Sequence, residues 1–300
     1  MKSLLNRKYE TVKAVNNISF SIKEGELVGF IGPNGAGKTT TLKVLSGLLY
    51  PSSGQVKVLG FTPWQRKRAF QKQFALVMGQ KNQLWWDLPP QETFLLNKEI
   101  YEIEDAAYHK TVSELVKLLD ISKILTVPVR KLSLGQRMKC ELVAALLHNP
   151  KVLFLDEPTI GLDVVMQKVM RDFIKTYNEK FEATIILTSH YMDDVKELAK
   201  RIIIIDTGKI LYDGKLSAVI DKYARNKILT VTFGAEPNQR KLAELGEVTS
   251  YQFPQAVINV KRQDTSQKAS TLLKEFPVAD LTIEEPPIEA IIREIFSGKE

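Results

Sequence analysis

Residues 27–39 read LVGFIGPNGAGKT, and this stretch decides the fold. Its first five residues are a continuous apolar run, which predicts a strand buried on both faces of a sheet. The next eight match G-x-x-x-x-G-K-[ST], and residues 40–49 carry leucines at helical spacing. A glycine-rich loop between a strand and a helix surrounds phosphate oxygens with backbone N–H groups. We therefore predict a phosphate-binding loop in which Lys38 reaches the phosphates and the Thr39 hydroxyl binds Mg²⁺.

A second buried strand ends in two carboxylates. Residues 152–155 are apolar, and Asp156 and Glu157 follow directly. Ligands of open parallel sheets bind at the carboxyl ends of the strands, so these acids are expected beside the glycine loop. We expect Asp156 to hold Mg²⁺ and Glu157 to orient or deprotonate an attacking water molecule.

Several short segments make the chain similar to the ABC transporter ATPases. Residues 132–136 read LSLGQ and resemble the LSGGQ signature of that family. Residues 161–163, GLD, resemble the D-loop, and His190, after Thr-Ser, resembles the H-loop histidine. Gln80 lies where the family has its Q-loop, and Tyr9 lies where an aromatic ring stacks on adenine. An ordinary packing role for Tyr9 and a surface position for Gln80 stay open.

The resemblance covers residues 1 to about 222 and implies both a fold and a site. The implied fold is α/β, an ABC-type P-loop NTPase with a mainly parallel core sheet, an antiparallel β subdomain and a helical signature subdomain at about 85–145. The implied activity is hydrolysis of ATP to ADP and phosphate, with ATP and Mg²⁺ bound. The implied catalytic residues are Lys38, Gln80, Glu157 and His190, and the implied metal ligands are Thr39, Gln80 and Asp156. The implied nucleotide contacts are Tyr9, Val15, Asn34, Gly35, Ala36, Gly37, Lys38, Thr39, Thr40, Ser133, Gly135, Gln136 and Asp163.

The signature departs from the family pattern at Leu134, where the family has glycine. A leucine is strained if that position has a positive φ angle. Ser133 and Gly135 are retained, so activity is expected to survive. Ser133 is expected to cap a helix that begins near Gln136. In the family this helix end faces the γ-phosphate held by a second ATPase subunit, which implies a head-to-tail dimer around two ATP molecules.

The positive charge of the chain is concentrated at its beginning. The net charge is +7, and residues 1–81 hold 13 basic and 3 acidic side chains. An anionic partner is therefore expected there, and ATP bound at the glycine loop meets that expectation without nucleic acid. Residues 66–68 and Lys72 are basic but lie outside every motif, so they either face anionic lipid or form a solvated surface.

Composition excludes several classes of protein. Apolar residues make up 44% of the chain and charged residues 26%, which is ordinary for a globular protein. No run of about 18 apolar residues occurs, so the chain is not expected to span a bilayer. The N-terminus does not resemble a signal peptide. The single cysteine, Cys140, excludes an internal disulfide, fits a reducing cytoplasm and is expected in the core.

The pattern changes after about residue 225. We predict strands at 227–233, 247–253, 256–261 and 278–284, with helices at 237–245, 266–275 and 287–296. This βαββαβ order predicts a small ferredoxin-like α+β domain at 226–300, after an ATPase domain at 1–222. We expect the small domain to be regulatory or to stabilise a dimer.

The resemblance also suggests what the ATPase drives. Residues 29–41 (GFIGPNGAGKTTT) and 189–194 (SHYMDD) are typical of ATP-binding subunits of ABC-2-type exporters. Residues 77–81 (VMGQK), the tryptophan pair and the LSLGQ segment together resemble a multidrug or viologen-exporter-like subgroup. Such a subunit lies at the cytoplasmic face of the membrane and powers export of a small molecule, drug or lipid-like substrate through separate permease subunits. Trp85 and Trp86 either dock the permease or pack under a loop. The alternative is a non-transport ABC ATPase that acts on a soluble protein or nucleic-acid complex.

Overall fold

The computed structural model describes residues 12–79, 81–189, 191–223 and 226–288, together with 291, 292 and 295. Contacts between Cα atoms divide the chain into two compact units, Met1–Gly214 and Lys215–Glu300. The domain limits expected at 222 and 226 lie 8 and 11 residues beyond this division and stay predictions.

The first unit is built on a six-stranded sheet. Its strands are β1 (Leu27–Ile31), β2 (Phe74–Met78), β3 (Val152–Asp156), β4 (Thr184–Thr188), β5 (Arg201–Asp206) and β6 (Lys209–Lys215). The strand order is β2-β3-β4-β1-β5-β6, and neighbours run parallel from β2 to β5. Thr207 and Gly208 both have positive φ, as a two-residue hairpin turn requires, so β6 runs antiparallel to β5. The mainly parallel core sheet is confirmed.

The position of β1 determines where the glycine loop lies. Every residue of β1, β3 and β4 is buried, as expected for strands covered on both faces. Because β1 lies between β4 and β5, the loop that follows it leaves the sheet near its middle. The parallel strands β3 and β4 end at the same edge, and they bring Asp156 and Thr188 to that loop.

Seven helices are described in the first unit. They are α1 (Lys38–Leu45), α2 (Arg68–Gln71), α3 (Pro90–Tyr101), α4 (Asp105–Leu119), α5 (Leu134–Leu146), α6 (Val164–Phe181) and α7 (Met192–Leu198). The helices α3, α4 and α5 occupy the region predicted to be helical, and α5 begins two residues before the expected start at Gln136. Cys140 is fully buried on α5, and burial raises the pKa of its thiol to about 12, so it is an inert core residue.

The antiparallel part of the first unit is less regular than the sequence predicts. Residues 18–22 and 55–59 alternate apolar and polar side chains, a pattern that predicts strands. Within the described residues no strand forms at either place, and only Val58 and Phe61 make an isolated antiparallel bridge. Ile18, Phe20 and Ile22 nevertheless pack against the core. The alternating pattern therefore marks an extended segment with one buried face, a property that it shares with a paired strand.

The basic segment at 66–72 is partly neutralised by one acid. Arg68 and Lys72 both form salt bridges with Glu102, which follows α3. Arg66 donates from Nε to the carbonyl oxygen of Gly47 at 3.3 Å. These contacts favour a structural role and a solvated surface over the lipid contact.

The second unit contains the predicted βαββαβ order. Its elements are α8 (Leu216–Tyr223), β7 (Asn226–Phe233), α9 (Gln239–Ala243), β8 (Glu247–Gln252), β9 (Gln255–Lys261), α10 (Thr265–Glu275) and β10 (Val278–Glu284). The sheet order is β10-β7-β9-β8 with antiparallel pairing throughout, so the ferredoxin-like fold is confirmed. Alternate residues of β7, Leu229, Val231 and Phe233, enter its core. Of the last expected helix, 287–296, five residues are described, and four of them, Ile288, Ile291, Ile292 and Ile295, are helical.

Candidate functional site

The glycine loop follows β1 and leads into α1. Gly35 and Gly37 have φ angles of 79° and 107°, which residues with a side chain rarely adopt. A Cβ atom on Gly37 would lie 2.4 Å from the carbonyl oxygen of Ala14. A Cβ atom on Gly32 would lie 2.1 Å from the carbonyl oxygen of Ile205. Positive φ and close backbone approach therefore explain these three glycines.

The other predicted contacts of the loop lie around it. A Cβ atom on Gly37 would be 3.4 Å from Cγ2 of Val15, so Val15 lies alongside the loop. Asn34 is exposed at its tip, Ala36 is buried beneath it and Thr40 is half-buried on α1. The structure thus places these residues in and beside the glycine loop, and their expected contacts with a nucleotide stay predictions.

Lys38 lies across the glycine loop. Its Nζ atom donates to the carbonyl oxygens of Gly32 at 2.7 Å and Pro33 at 3.0 Å. Burial lowers the pKa of the ammonium, and the negative charges of Glu157 and Asp156 oppose that effect. The positive charge is thus held against the loop backbone, beside the two acids that end β3.

Two hydroxyl groups hold Asp156. The Thr39 hydroxyl donates to Asp156 Oδ2 at 2.8 Å, and the Thr188 hydroxyl donates to Asp156 Oδ1 at 2.7 Å. One bond joins the carboxylate to α1 and the other joins it to the end of β4. The sequence-based prediction gives Thr188 no role. Its place as a polar residue at the end of an apolar strand could have indicated that it lies beside Asp156.

Mg²⁺ fits the donors at this position. Thr39 and Asp156 present adjacent hard oxygen atoms, which Mg²⁺ prefers. Among the described residues no group of three or more His, Cys, Asp or Glu side chains is placed to hold a metal. Mg²⁺ usually takes only one or two protein oxygens and completes its shell with phosphate and water.

Glu157 has an unusual backbone. Its φ angle is 55°, in the left-handed region. Its N–H lies within hydrogen-bond distance of both the carbonyl oxygen and the hydroxyl oxygen of Thr188, each at 3.1 Å. A glutamate in this conformation is uncommon and is retained where the surrounding bonds impose it. The bonds to β4 fix how the side chain leaves the end of β3.

Ser133 caps α5 as predicted. Its hydroxyl accepts from the N–H of Gln136 at 3.2 Å, and the Gln136 side chain accepts from the N–H of Ser133 at 3.0 Å. This capping box fixes the signature loop at the helix N-terminus. The Gln136 amide oxygen, expected to contact nucleotide, therefore also has a bond within its own chain. Asp163 caps α6 in the same way, because its Oδ1 accepts from the N–H of Met166 at 2.8 Å.

Leu134 does not carry the strain that the sequence suggested. It begins α5 and is absent from the described residues with positive φ. A Cβ atom on Gly161 would lie 3.1 Å from Leu134 Cδ2, so this leucine packs beside the D-loop. Gly135 is buried against Met166, whose Cγ would be 2.7 Å from an added Cβ atom. The leucine thus fits the signature loop without distorting it.

Three predicted residues fall outside the described part of the chain. They are Tyr9, Gln80 and His190. Their neighbours Gly79 and Ser189 are described, and they lie at the carboxyl ends of β2 and β4. The roles expected for the three stay predictions.

A buried polar cluster behind the site has no counterpart in the sequence-based prediction. Asp194 is fully buried and accepts from the Ser189 hydroxyl at 2.6 Å and the Thr159 hydroxyl at 2.5 Å, both through Oδ2. Its Oδ1 accepts from Arg171 Nη1 at 3.1 Å. The adjacent acids Asp193 and Asp194 look alike in sequence, but only the second is buried.

Known protein families match both units. The model described as ABC transporter matches residues 15–160, and the model described as EvrA-like ABC transporter, C-terminal domain, matches residues 225–284. The ABC transporter ATP-binding protein NatA of Bacillus subtilis (strain 168) is 31% identical over 214 residues, which are 71% of this chain and 87% of NatA. The chain belongs to the ABC transporter family.

Other members extend the similarity. The linearmycin resistance ATP-binding protein LnrL of Bacillus subtilis (strain 168) is 28% identical over 96% of this chain and 94% of its own length. The bacitracin transport ATP-binding protein BcrA of Bacillus licheniformis is 34% identical over 69% of this chain and 66% of its own length. A solved dimeric structure of the ATP-binding cassette MJ0796 in a post-hydrolysis state, bound to ADP and Pi, matches with a TM-score of 0.63. It is 25% identical and covers 70% of this chain and 94% of that one.

Family membership establishes the coarse function. The chain is the ATP-binding subunit of an ABC transporter, and it is an ATPase whose ATP hydrolysis is coupled to transport. The predicted ABC-type fold is confirmed by the same neighbours. Dimeric cassettes of this kind support the predicted dimer.

Proposed function

We propose that this ATPase powers export of a small molecule, drug or lipid-like substrate through separate ABC-2-type membrane subunits. The observation that carries the proposal is the similarity over both units to LnrL, a resistance protein, together with the C-terminal family match. BcrA and a Nod factor export ATP-binding protein support export as well. A probable sulfate/thiosulfate import ATP-binding protein of Chlorella vulgaris is 33% identical over 72% of this chain, so import is the alternative direction of transport.

The membrane part of the transporter is proposed to be a different chain. None of the helices in the described residues is long and apolar enough to cross a membrane. We propose that the subunit is held at the cytoplasmic face of the membrane by the permease. The alternative, an ABC ATPase that acts on a soluble protein or a nucleic-acid complex, predicts a soluble partner instead.

The docking surface for the permease is proposed to include the tryptophan pair. Trp85 and Trp86 are 58% and 50% exposed, although aromatic side chains of this size are normally buried. The guanidinium of Arg137 lies over the Trp86 ring, 5.5 Å from its centroid. This contact covers one face of the Trp86 ring. The exposed Trp85 ring is available as an aromatic anchor for a partner.

The roles of the site residues follow from the geometry. ATP is proposed to lie on the glycine loop, with its phosphates against the backbone N–H groups and Lys38. Thr39 and Asp156 would hold Mg²⁺, which neutralises charge on the phosphates when it is bound. Glu157, at the end of β3, is proposed to accept the proton of the attacking water. Gln80 is proposed as a further Mg²⁺ or water contact, and His190 as a γ-phosphate contact.

The second ATPase subunit is proposed to complete the site. Ser133 uses its hydroxyl oxygen to accept from Gln136, so its hydroxyl hydrogen stays available to donate to a phosphate oxygen. The N-terminus of α5 adds partial positive charge at the same place. ATP bound by one subunit would therefore join it to the signature of the other, and Asp163 would link the two sites.

Substitution of Glu157 tests the proposed chemistry. We expect Glu157→Gln to bind ATP normally, to lose turnover by at least about 100-fold and to accumulate as an ATP-bound dimer. Glu182→Gln is the matched control, because Glu182 is also a glutamate with positive φ but is exposed after α6. Steady-state ATPase rates and size-exclusion chromatography with ATP measure both properties. A Glu157→Gln protein with the wild-type rate would remove Glu157 from the base role.

Recovery of the partner tests the proposed export system. The chain carrying Glu157→Gln is purified from membranes of its own host with ATP, and the associated proteins and nucleic acids are identified. A polytopic membrane protein in stoichiometric amount supports the transporter, whereas RNA, DNA or a soluble protein favours the alternative. Transport of a labelled substrate out of cells that express both chains then decides between export and import.

A further inference from the structure

We infer that Asp194 is a positioning residue for ATP hydrolysis. It fixes the chain after β3 relative to the chain after β4, and these are the two segments that carry Glu157 and His190. The inference rests on the proposed roles of those two residues. It concerns a side chain that itself contacts neither ATP nor Mg²⁺ in the proposed mechanism.

The connections of Asp194 reach one residue in each segment. Thr159 follows Glu157 by two residues, and its hydroxyl donates to Asp194 Oδ2 at 2.5 Å. Ser189 immediately precedes His190, and its hydroxyl donates to the same oxygen at 2.6 Å. A single carboxylate oxygen therefore holds both segments from behind.

Ser189 contacts both Asp194 and Tyr191 through its hydroxyl. Its hydroxyl oxygen accepts from the N–H of Tyr191 at 2.9 Å, so the hydroxyl spans the position of His190. The hydroxyl hydrogen has two acceptors within reach, Asp194 Oδ2 at 2.6 Å and the Tyr191 carbonyl oxygen at 3.2 Å. The shorter bond anchors Ser189 to the first turn of α7. A shift of this anchor moves the backbone on both sides of His190.

Arg171 makes the buried charge possible. Asp194 is fully buried and the Arg171 side chain is only 7% exposed, so neither charge is screened by water. Arg171 donates from Nη1 to Asp194 Oδ1 at 3.1 Å and from Nε to Glu197 Oε2 at 3.0 Å. Buried charges that are paired and fully hydrogen-bonded give a single well-defined geometry. The carboxylate lies on α7, and the partners of its oxygens come from α6 and from both segments that enter the site.

An amide cannot replace this carboxylate. Asp194 Oδ2 receives two hydroxyl donors while Oδ1 receives the guanidinium, so both oxygens must accept. Asparagine offers one accepting oxygen and one donating NH₂ group. If the amide oxygen faces the two hydroxyls, the NH₂ group faces the Arg171 guanidinium and that bond is lost. If the NH₂ group faces the hydroxyls, both must turn to accept. Either orientation also removes the negative charge that pairs with Arg171. Misplacement of a catalytic group by about 1 Å can lower the rate by about 100-fold.

The test compares variants that keep or remove each hydroxyl. Thr159→Ser and Ser189→Thr keep the donor to Asp194, whereas Thr159→Val and Ser189→Ala remove it. We expect Asp194→Asn, Thr159→Val and Ser189→Ala to lower kcat by about tenfold or more, with KM for ATP within about twofold. The two hydroxyl-retaining variants are expected to recover most of the rate. Glu197→Gln, which changes only the outer bond of Arg171, is the control expected to keep the rate.

A binding measurement separates positioning from a loss of folded protein. ATP titration of the full chain in EDTA, where hydrolysis does not proceed, counts the nucleotide sites per chain. Positioning predicts one site per chain in every variant, with the loss confined to kcat. A fall in site number that matches the fall in rate, or equal rates for Thr159→Val and Thr159→Ser, overturns the inference. If Glu157→Gln keeps full turnover, the proposed site fails instead, and the two failures are thereby distinguished.

Discussion

Replacement of Thr188 by valine tests how Asp156 is held. Valine has the shape of threonine without the hydroxyl, and Thr188 is fully buried at the end of β4. The change removes the 2.7 Å bond to Asp156 Oδ1. Thr184→Val is the matched control, because Thr184 begins the same strand, is 8% exposed and accepts from the Gly25 N–H at 3.0 Å.

The expected cost follows from the bonds that remain. A hydrogen bond to a charged group contributes about 1.5–3 kcal/mol to the free energy of unfolding, and a neutral one contributes about 0.5–1.5 kcal/mol. The Glu157 N–H keeps the Thr188 carbonyl as its acceptor at 3.1 Å, so it adds no further loss. We expect Thr188→Val to lose about 1.5–3 kcal/mol and Thr184→Val to lose about 0.5–1.5 kcal/mol.

Urea unfolding and ATPase rates together check this expectation. All three tryptophans, Trp64, Trp85 and Trp86, lie in the first unit, so tryptophan fluorescence follows that unit alone. Loss of one orienting bond on Asp156 is expected to lower kcat by about tenfold, whereas Thr184→Val keeps the wild-type rate. The reasoning is refuted if Thr188→Val keeps wild-type kcat, or if the two variants lose equal stability and equal activity.

Three further substitutions are expected to have distinct effects. Gly37→Ala places a side chain at a positive φ angle and against the Ala14 carbonyl oxygen. The free energy of unfolding, measured by urea unfolding, is therefore expected to fall by at least about 2 kcal/mol. ATP affinity, measured by titration, is expected to fall as well. Ser133→Ala removes the cap that holds Gln136 and is expected to cost about 1 kcal/mol in the same unfolding assay, while Ser133→Thr retains it. Burial raises the pKa of Glu141 to about 7, above its unfolded value, so the native state binds the extra proton and stability falls as pH rises through about 4.5 to 7. Glu141→Gln removes this pH dependence and is expected to be more stable than wild type by up to about 3 kcal/mol at pH 8. Urea unfolding of both proteins at pH 5 and at pH 8 measures the difference.

Each of these expectations has a contrary outcome. A Gly37→Ala protein with unchanged ATP affinity would mean that the loop tolerates a side chain at positive φ. Equal stabilities of Ser133→Ala and Ser133→Thr would show that the cap contributes nothing measurable. Glu141→Gln that differs from wild type by the same amount at pH 5 and pH 8 would contradict a protonated native carboxyl.

The parts of the site that lie close together in sequence could be predicted. The glycine loop, its flanking strand and its helix form one continuous stretch, and the glycine pattern follows from backbone geometry. The carboxylates at the end of β3 were recognisable because an apolar run ends abruptly at Asp156. The cap at Ser133 was predictable too, since a capping box needs only the residue three positions later.

The parts that depend on tertiary contacts could not be predicted. Alternation at 18–22 shows a buried face, but pairing needs a neighbouring strand that the segment cannot specify. The strain expected at Leu134 did not occur because the residue begins α5 with an ordinary φ angle. Asp194 follows Asp193 in an acidic helix start, and only the approach of α6 decides that one of them is buried.

The central place of β1 determines when the nucleotide site can form during synthesis. Residues 27–39 leave the ribosome before β4 and β5, the strands with which β1 pairs, and these end at Thr188 and Asp206. At about 5–20 residues per second, the ribosome needs about 9–35 s to complete those strands after β1. Until β4 is complete, β1 has neither of its partner strands, so the glycine loop has no sheet to support it. Nucleotide binding is therefore among the last properties that a nascent ATPase unit acquires, although its loop is among the first parts made.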